Sequence, residues 1–280
     1  MNLIKSLYLV STPIGNLNDI TIRAIDVLKK SDIILCEDTR HSHKLLKHLK
    51  INKNTISLHK FNEKKKITKV IKYLKEGKIL SLISDAGTPT ISDPGNLLIN
   101  ECVKNDIKII PIPGASSITS SMSVSGFDHQ FLFYGFLPKT LNDLSSELKS
   151  LRVLNYSIIF FIPAIKINFY LREFKKKFLN RKILIAREMT KINETFYRGD
   201  IDKIPFFKEN LKGEVTLIIS KEYAKSDFFS DNFENIKKEA IKYLDKYSLK
   251  DVVELLSKKE KISKNKVYKL CLDLKNGKNI

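Results

Sequence analysis

Short apolar runs that end in polar, glycine- and proline-rich segments, each followed by a stretch of helical period, recur through the first half of this chain. Leu7 to Val10 breaks at Ser11-Thr12-Pro13-Ile14-Gly15-Asn16, ahead of an amphipathic stretch from Ile20 to Lys30 with Ala24, Ile25 and Leu28 at helical spacing. Ile33 to Cys36 runs into Glu37-Asp38-Thr39-Arg40-His41, and Leu45, Leu46 and Leu49 mark the helix after it. Thr55 to Leu58 reads as a short strand, and Ile67, Val70, Ile71 and Leu74 as a helix closed by Gly77. Ile79 to Ile83 ends in the polar stretch Ser84 to Gly95, before a helix through Leu97 to Val103. Ile107 to Ile110 ends at Pro111-Ile112-Pro113-Gly114-Ala115-Ser116-Ser117, with a helix from Ile118 to Val124. This alternation predicts an α/β domain over residues 1–138 with a largely parallel sheet.

The pattern breaks at Leu137-Pro138-Lys139-Thr140, a plausible linker. Beyond it, strands are expected at Tyr156 to Ile162, Lys182 to Glu188, Glu194 to Arg198 and Glu214 to Ser220. Only two helices accompany them, one through Leu144, Leu148 and Leu151 and one from Ile167 to Phe178. Residues 139–230 therefore read as an α+β domain with a mixed sheet, and 231–280 as a helical tail. Within the tail, Leu249 to Ser257 and Ser263 to Leu274 read as helices joined by a short Lys-rich turn. A chain of 280 residues is long enough for two such domains with separate cores.

The net charge of +19 suits a nucleic-acid partner, but it is diffuse: residues 1–138, 139–230 and 231–280 carry +7, +7 and +5. Seven Arg against 43 Lys, with abundant Ile and Asn and no Trp, is also what an AT-rich gene produces. The charge permits RNA binding without singling out a domain for it. Cys36, Cys102 and Cys271 form neither a disulfide framework nor a zinc spacing, which points to a reducing compartment. The apolar run near the N-terminus is too short for a signal peptide, and the longest run, Ile158 to Ile165, is too short to span a bilayer. A cytoplasmic protein is expected.

Four strand-end loops carry the chemistry: Ser11 to Gly15, Glu37 to His41, Ser84 to Gly95 and Pro111 to Ser117. In an open α/β sheet they converge on the carboxyl edge, where ligands bind. Ser92 or Asp93 is suited to cap the helix after the third loop, with Pro94 in its first turn. Together the loops offer backbone, carboxylates, hydroxyls and one Arg, a set that suits a small ligand with an amine and a carboxylate. The chain has no G-x-G-x-x-G, no G-x-x-x-x-G-K-[ST] and no G-x-S-x-G. His41 and His43 lie two apart with no companion Cys/His cluster, so no metal site is expected. Glu37-Asp38 reads either as a catalytic pair or as a helix cap, and Arg187-Glu188-x-x-Lys191 either as functional or as a surface ion-pair group.

In order and spacing, Tyr8-Leu9-Val10-Ser11-Thr12-Pro13-Ile14-Gly15-Asn16-Leu17, Cys36-Glu37-Asp38-Thr39-Arg40, Ser84-Asp85-Ala86-Gly87-Thr88-Pro89 with Ile91-Ser92-Asp93-Pro94-Gly95, and Pro111-x-Pro113-Gly114-Ala115-Ser116-Ser117 resemble the motifs of the tetrapyrrole methylase superfamily. The opening motif and the aspartate-rich loop resemble its ribosomal RNA branch, whose bacterial members 2'-O-methylate a cytidine of 16S rRNA. The resemblance runs from about residue 7 to 220 and more faintly beyond. It implies two α/β domains, S-adenosylmethionine folded into the cleft between them, and a homodimer. It places Ile14, Asp85, Ala86, Gly87, Thr88, Ile91, Ser116 and Ser117 on the cofactor from the first domain. Phe161, Met189, Gly213, Val215 and Thr216 would close the pocket from the second. One departure stands out: where the family has aromatic-Glu-x-Pro-His-Arg, this chain has Phe161-Ile162-Pro163-Ala164-Ile165-Lys166. Ribose methylation needs in-line positioning and help with one proton. By polarity and location, Asp38 and Glu188 are candidate bases, with Arg40 and Lys191 as candidate phosphate contacts. The acceptor would be 16S rRNA in the small ribosomal subunit and not DNA, which lacks the 2'-hydroxyl. Two other readings are a tetrapyrrole or protein side-chain methylase of the same fold, and a non-catalytic RNA-binding assembly factor.

Overall fold

Strands β1 (Leu7–Val10), β2 (Ile33–Cys36), β3 (Asn54–Ser57), β4 (Leu80–Ile83) and β5 (Ile109–Ile112) form one sheet in the order β3-β2-β4-β1-β5. Every pairing in it is parallel. Helices α1 (Ile22–Lys30), α2 (Thr39–His48), α3 (Glu63–Lys75) and α4 (Asn96–Lys104) connect the strands, and α5 (Ser117–Ser123) follows the last. Alternate side chains enter two separate cores. Leu35, Leu80 and Leu82 pack with Val70, Leu74 and Leu98 on one face. Ile34, Cys36 and Ile83 pack with Ala24, Val27 and Leu28 on the other. Both faces are covered, so β2 and β4 are apolar throughout, apart from Ser81, and fully buried.

The computed structural model describes residues 2–209, 211–222, 228–259 and 263–275. The second sheet comprises β6 (Phe131–Phe136), β7 (Ser157–Pro163), β8 (Lys182–Arg187), β9 (Thr195–Asp200) and β10 (Glu214–Ile219), in the order β6-β7-β10-β8-β9. Strand β6 runs parallel to β7, and the remaining pairs are antiparallel. Helices α6 (Leu141–Arg152) and α7 (Ile167–Lys177) cover one face, with Leu144, Leu148, Tyr170 and Phe174 against Ile158, Phe160 and Leu217. On the other face Ile159, Leu184 and Ile218 meet Ile118 and Met122 of α5. Helix α5 thus follows the first sheet in sequence and packs on the second, which sets the carboxyl edge of the first sheet and one edge of the mixed sheet against one cleft.

The fold expected from the pattern is the one observed, a parallel α/β sheet followed by a mixed one. Strand β6 was not anticipated: its apolar residues do not alternate, and Gly135 sits at a bulge with φ +84°. It joins the second sheet although it precedes the break expected near residue 138. Strand β5 lies two residues further along than expected and runs through Pro111, which an edge strand tolerates because one side of its ladder is free. Contacts separate residues 1–222 from 223–280. The second unit has α8 (Phe228–Leu244), α9 (Leu249–Lys259) and α10 (Lys264–Lys275) around Ile236, Val252, Leu256 and Leu270. The Lys-rich turn expected between the last two helices lies mostly outside the described residues.

Arg181, only 3% exposed, ties the second sheet together. Its guanidinium donates to the carbonyls of Leu154 (2.7 Å), Arg152 (2.9 Å) and Ser220 (3.2 Å) and stacks on Phe178. Arg181→Met leaves these buried acceptors without a donor. It is expected to cost about 3 kcal/mol, read as an earlier urea midpoint of the full-length chain.

Candidate active site

The loops after β1, β4 and β5 are laced together at the carboxyl edge of the first sheet. Thr12 and Gly87 exchange backbone hydrogen bonds of 2.9 and 3.0 Å. The Thr12 hydroxyl donates to the Ser84 carbonyl at 3.1 Å, and the Ser11 hydroxyl to Thr88 Oγ1 at 3.2 Å. Gly114 lies so close to Ser11 that a Cβ there would stand 2.9 Å from the serine Cβ. The helix after the third loop is capped by Gly95, with φ +126°, and not by Ser92 or Asp93 as expected. Thr90 and Ser92 take left-handed backbone (φ +71° and +67°), which turns the loop back over the sheet edge and leaves neither Ser92 nor Asp93 at the cap.

The opposing wall is the turn after β8, where Glu188 and Thr190 are also left-handed (φ +51° and +65°). The Glu188 carboxylate accepts from Lys191 Nζ at 2.8 Å and from the Glu214 N–H at 2.9 Å. Lys191 also reaches Glu214 Oε2 at 3.1 Å. Burial works against the charge on Glu188, but Lys191, the Glu214 N–H and Arg187 outweigh it and hold the carboxyl below the usual glutamate range. Burial likewise opposes the charge on Lys191, and its two carboxylate partners raise it above an ordinary lysine. The first-sheet loop seats on this turn: the Asn16 N–H donates to Thr190 Oγ1 at 3.1 Å. A Cβ on Gly15 would meet Lys191 Cγ at 2.5 Å and Thr190 Oγ1 at 2.7 Å. Gly213, with φ +94°, leaves room for the Glu188 carboxyl group, which any Cβ there would strike.

Between these walls lies a cavity of about 380 Å³. Of the residues expected on a cofactor, Ile14, Ala86, Gly87, Thr88, Ile91, Ser116 and Ser117 line it from the first half. Phe161, Met189, Gly213, Val215 and Thr216 line it from the second. Asp85 does not. It lines an adjoining cavity of about 320 Å³ together with His41, Ser42, Lys44 and Lys191. Its buried Oδ1 has no hydrogen-bond donor, the His41 Nδ1 standing 3.7 Å away. Sequence reasoning did not name Ser92, Asp93, Ile118, Phe136 and Ala186 as lining residues. Phe136 comes from the unanticipated strand. Ser92 and Asp93 belong to the expected binding loop, where either is also suited by composition to a helix cap.

The four residues expected to be catalytic are not gathered at one point. Asp38 caps α2, accepting from the Arg40 N–H at 2.8 Å, and its two oxygens also take Arg40 Nε and NH2 at 3.1 and 2.7 Å. Arg40 thereby holds the Asp38 carboxyl well below the usual range. The Arg40 side chain is 90% exposed. Among the four, only Lys191 lines either cavity. Two other carboxyls at the sheet edge shift the opposite way. Burial, reinforced by Glu37 and Asp85, pushes Asp93 up to about 6. Burial, with Asp85 and Asp38 adding to it, raises Glu37. The described residues hold no group of three or more His, Cys, Asp or Glu arranged for a metal.

The family model for tetrapyrrole (corrin/porphyrin) methylases matches residues 6–205, a span that contains both sheets apart from β10 and all four strand-end loops. The chain belongs to the tetrapyrrole methylase family. Methylase folds of known structure superpose on it. A methyltransferase named CobJ gives a TM-score of 0.59 at 14% identity, over 77% of this chain and 94% of its own. The uroporphyrin-III C-methyltransferase of Thermus thermophilus, solved with S-adenosylhomocysteine, gives 0.55 at 13% identity, over 77% and 97%. At these identities the likeness concerns the fold. Nearer in sequence are proteins named ribosomal RNA small subunit methyltransferase I. The one from Mesomycoplasma conjunctivae is 45% identical over 79% of this chain and 94% of its own length. The one from Buchnera aphidicola (Acyrthosiphon pisum) is 40% identical over 95% and 96%.

In this methylase the Glu188 clamp sets the shape of the cleft wall, and its stability carries a pH signature. A lowered carboxyl value means that Glu188 stabilises the fold above the ordinary glutamate range and that this is lost as pH falls through the lowered value. Glu188→Gln is expected to melt earlier than the wild type at about pH 7, the difference shrinking as pH falls below the ordinary glutamate range, read by thermal unfolding. Gly213→Ala forces a side chain into a left-handed position against Glu188 and is expected to cost about 2 kcal/mol by the same measurement.

Proposed function

We propose that the protein transfers a methyl group from S-adenosylmethionine to the 2'-hydroxyl of a cytidine in 16S rRNA, with the small ribosomal subunit as its substrate. The observation that carries the acceptor is the 40% identity, over 95% of this chain, to a protein named ribosomal RNA small subunit methyltransferase I. The reading extends to a homodimer working in the cytoplasm, with which three buried free cysteines agree. Among the described residues no helix is long and apolar enough to cross a membrane.

The cavity fits the methyl donor. Its volume of about 380 Å³ lies in the range that takes up a ligand of this size, with apolar walls and a few placed polar groups. Ile14, Ile91, Phe161, Met189 and Val215 would pack on it. The hydroxyls of Thr88, Ser116, Ser117 and Thr216, and the close-approaching backbone at Ala86, Gly87 and Gly213, would take its polar edges. The donorless Oδ1 of Asp85, next to the shared wall at Ile14 and Ala86, suits an ammonium group. When bound, S-adenosylmethionine supplies an electrophilic methyl on a cationic sulfur that departs neutral. The protein's part is then alignment and dehydration. The bulged strand end at Phe136 and the Glu188-held turn close the cleft from one side, and the Thr12–Gly87 bridge sets the other.

Asp38 holds Arg40 by two side-chain bonds while the guanidinium stays open to solvent, a pre-oriented phosphate contact beside the cleft. Lys191 and Lys44, on the wall of the adjoining cavity, add charge for the backbone of the acceptor strand. At the departure from the family run, Ile162 is 2% exposed and Lys166 keeps a cation where the family has Arg.

The test is incubation of the full-length protein with methyl-labelled S-adenosylmethionine and unmethylated small subunits, followed by alkaline digestion. Label in a single alkali-resistant dinucleotide is expected, with none in DNA of equal length. Label in no RNA, with the methyl donor still bound, would turn the reading to another acceptor. Loss of donor binding as well would favour the assembly-factor reading. Arg40→Ala is expected to weaken RNA binding and to lower the salt slope of the affinity by about 1, leaving calorimetric affinity for S-adenosylmethionine unchanged.

A further inference from the structure

Among the described residues Phe61 is the most exposed aromatic side chain, at 89%. Single exposed apolar residues are ordinary on protein surfaces and need no explanation by themselves. Phe61 is set apart by the turn that carries it and by the charge around it. The turn is built to hold its shape. The Leu58 N–H donates to the Cys36 carbonyl at 2.7 Å, so the chain leaves β3 beside the loop that follows β2. Asn62 folds the turn back on itself: its Oδ1 accepts from the His59 N–H at 2.9 Å, and its Nδ2 donates to Ser57 Oγ at 3.1 Å. The N–H groups of Asn62 and Glu63 both donate to the His59 carbonyl at 2.9 Å. Glu63, 4% exposed, anchors the far end by accepting from the Leu98 N–H at 3.0 Å. The ring of half-buried His59 meets Phe61 edge-on, with centroids 6.2 Å apart and planes at 61°. An aromatic face held in water by a fixed turn has little freedom left to lose when something binds it.

The surroundings are cationic. Lys60 is exposed in the turn, and Lys64 and Lys65 are exposed at the start of α3. Cys36 of β2 pairs with Ser57 of β3, and Arg40 and Phe61 each lie four residues beyond that pair, on neighbouring strand ends. The Arg40 guanidinium stays open to solvent. The carboxylates of these two loops offset little of this: Glu63 is buried, Asp38 is taken up by Arg40, and Glu37 is half-buried. Lysines on either side of a lone ring do not suit the centre of a protein–protein interface, which is depleted of charge. They do suit single-stranded nucleic acid, whose bases stack on an aromatic face while its phosphates meet cations.

We propose that Phe61 is a stacking platform for an unpaired base of the acceptor RNA, with Arg40, Lys60 and the lysines at the start of α3 taking the phosphates around it. The assignment rests on the RNA methyltransferase reading above. A duplex hides its base faces, so the strand that meets Phe61 is open at that point. Every base has a π-face, so Phe61 supplies affinity and placement of the strand and not choice of sequence. It is a positioning residue: it holds the acceptor strand, while the cavity between the two sheets holds the methyl donor.

The chain has no Trp, so Phe61→Trp in the full-length protein places its only indole fluorophore at the platform. An oligocytidylate of about eight nucleotides is expected to quench that fluorescence, and an abasic oligomer of equal length and charge is not. Phe61→Ala is expected to weaken affinity for the oligocytidylate and for unmethylated small subunits by about 5- to 150-fold. The salt slope of the affinity is expected to stay unchanged, because no charge is lost. Phe61→Leu keeps apolar bulk without a π-face and is expected to bind as weakly as Phe61→Ala. Calorimetric affinity for S-adenosylmethionine and the melting temperature are expected to match the wild type in each variant, since the ring is exposed and serves the acceptor. Equal quenching by the abasic oligomer, or no quenching at about millimolar oligocytidylate, overturns the assignment alone. A Phe61→Leu affinity within about twofold of wild type does the same. A loss of affinity seen with small subunits and not with the oligomer assigns Phe61 to a ribosomal protein and also overturns it. A wild type that labels no RNA overturns the RNA reading and the assignment with it.

Discussion

Glu188 fixes the turn on which the first-half loop of the cleft rests. Its carboxylate gathers the Lys191 ammonium and the Glu214 N–H, while its own backbone N–H donates to the Glu214 carbonyl at 2.9 Å. The turn between β8 and β9 is pinned in this way to the first residue of β10. Pinned there, it presents Thr190 and Lys191 to the loop at Gly15, and Met189 to the cavity. An isolated surface ion pair contributes little. This one is worth more because Glu188 is only 17% exposed in its side chain and each of its bonds fixes a different segment. Two glycines make the geometry possible, Gly213 by yielding space to the carboxylate and Gly15 by letting the first-sheet loop come within contact of the turn.

The cleft follows from where α5 lies. Emerging from the edge strand of the parallel sheet, it covers Ile159, Leu184 and Ile218 of the mixed sheet. The apolar face that would otherwise be exposed on the second sheet is thereby buried by an element of the first. A single helix serving both sheets brings the residues at its start, Ser116 and Ser117, into the wall they share. The same closure gathers carboxylates. Glu37, Asp85 and Asp93 are brought together by adjacent parallel strands and one reversed loop, and burial in the first place, with their mutual repulsion added to it, raises Asp93 and Glu37. Backbone strain at Thr90, Ser92, Glu188 and Thr190 is concentrated on the two sides of this cavity, as expected where function and not stability sets the conformation.

Much of this was legible in the sequence because it is local. Apolar runs such as Ile33–Cys36 and Leu80–Ile83, cut by polar turns and followed by helical periodicity, dictate a parallel sheet, since a chain of that pattern has no other way to bury both faces. The loops at their ends carry their own composition, and their convergence on one edge follows from the parallel direction of the strands. What could not be read is what depends on neighbours distant in sequence. Strand β6 lacks alternation because it bulges at Gly135, and only pairing with β7 makes it a strand. Asp93 has the composition of a helix cap. Whether it caps or lines a cavity turns on Gly95 taking φ +126°, which the packing of Leu82 and Thr90 around it enforces.

The sequence by itself determined the order of strands and helices apart from β6, the polar loops and the family motifs, because each depends on the period and composition of contiguous residues. Tertiary structure alone decided which carboxylates are free. Asp38 and Glu188 look as available in the sequence as Asp93, yet Arg40, Lys191 and the Glu214 N–H occupy the first two. Chain reversal delivers the third to the cavity without a partner. Hydrogen bonds to ionised groups and the desolvation of a carboxyl are set by distances between segments brought together only on folding, and a linear sequence does not contain those distances.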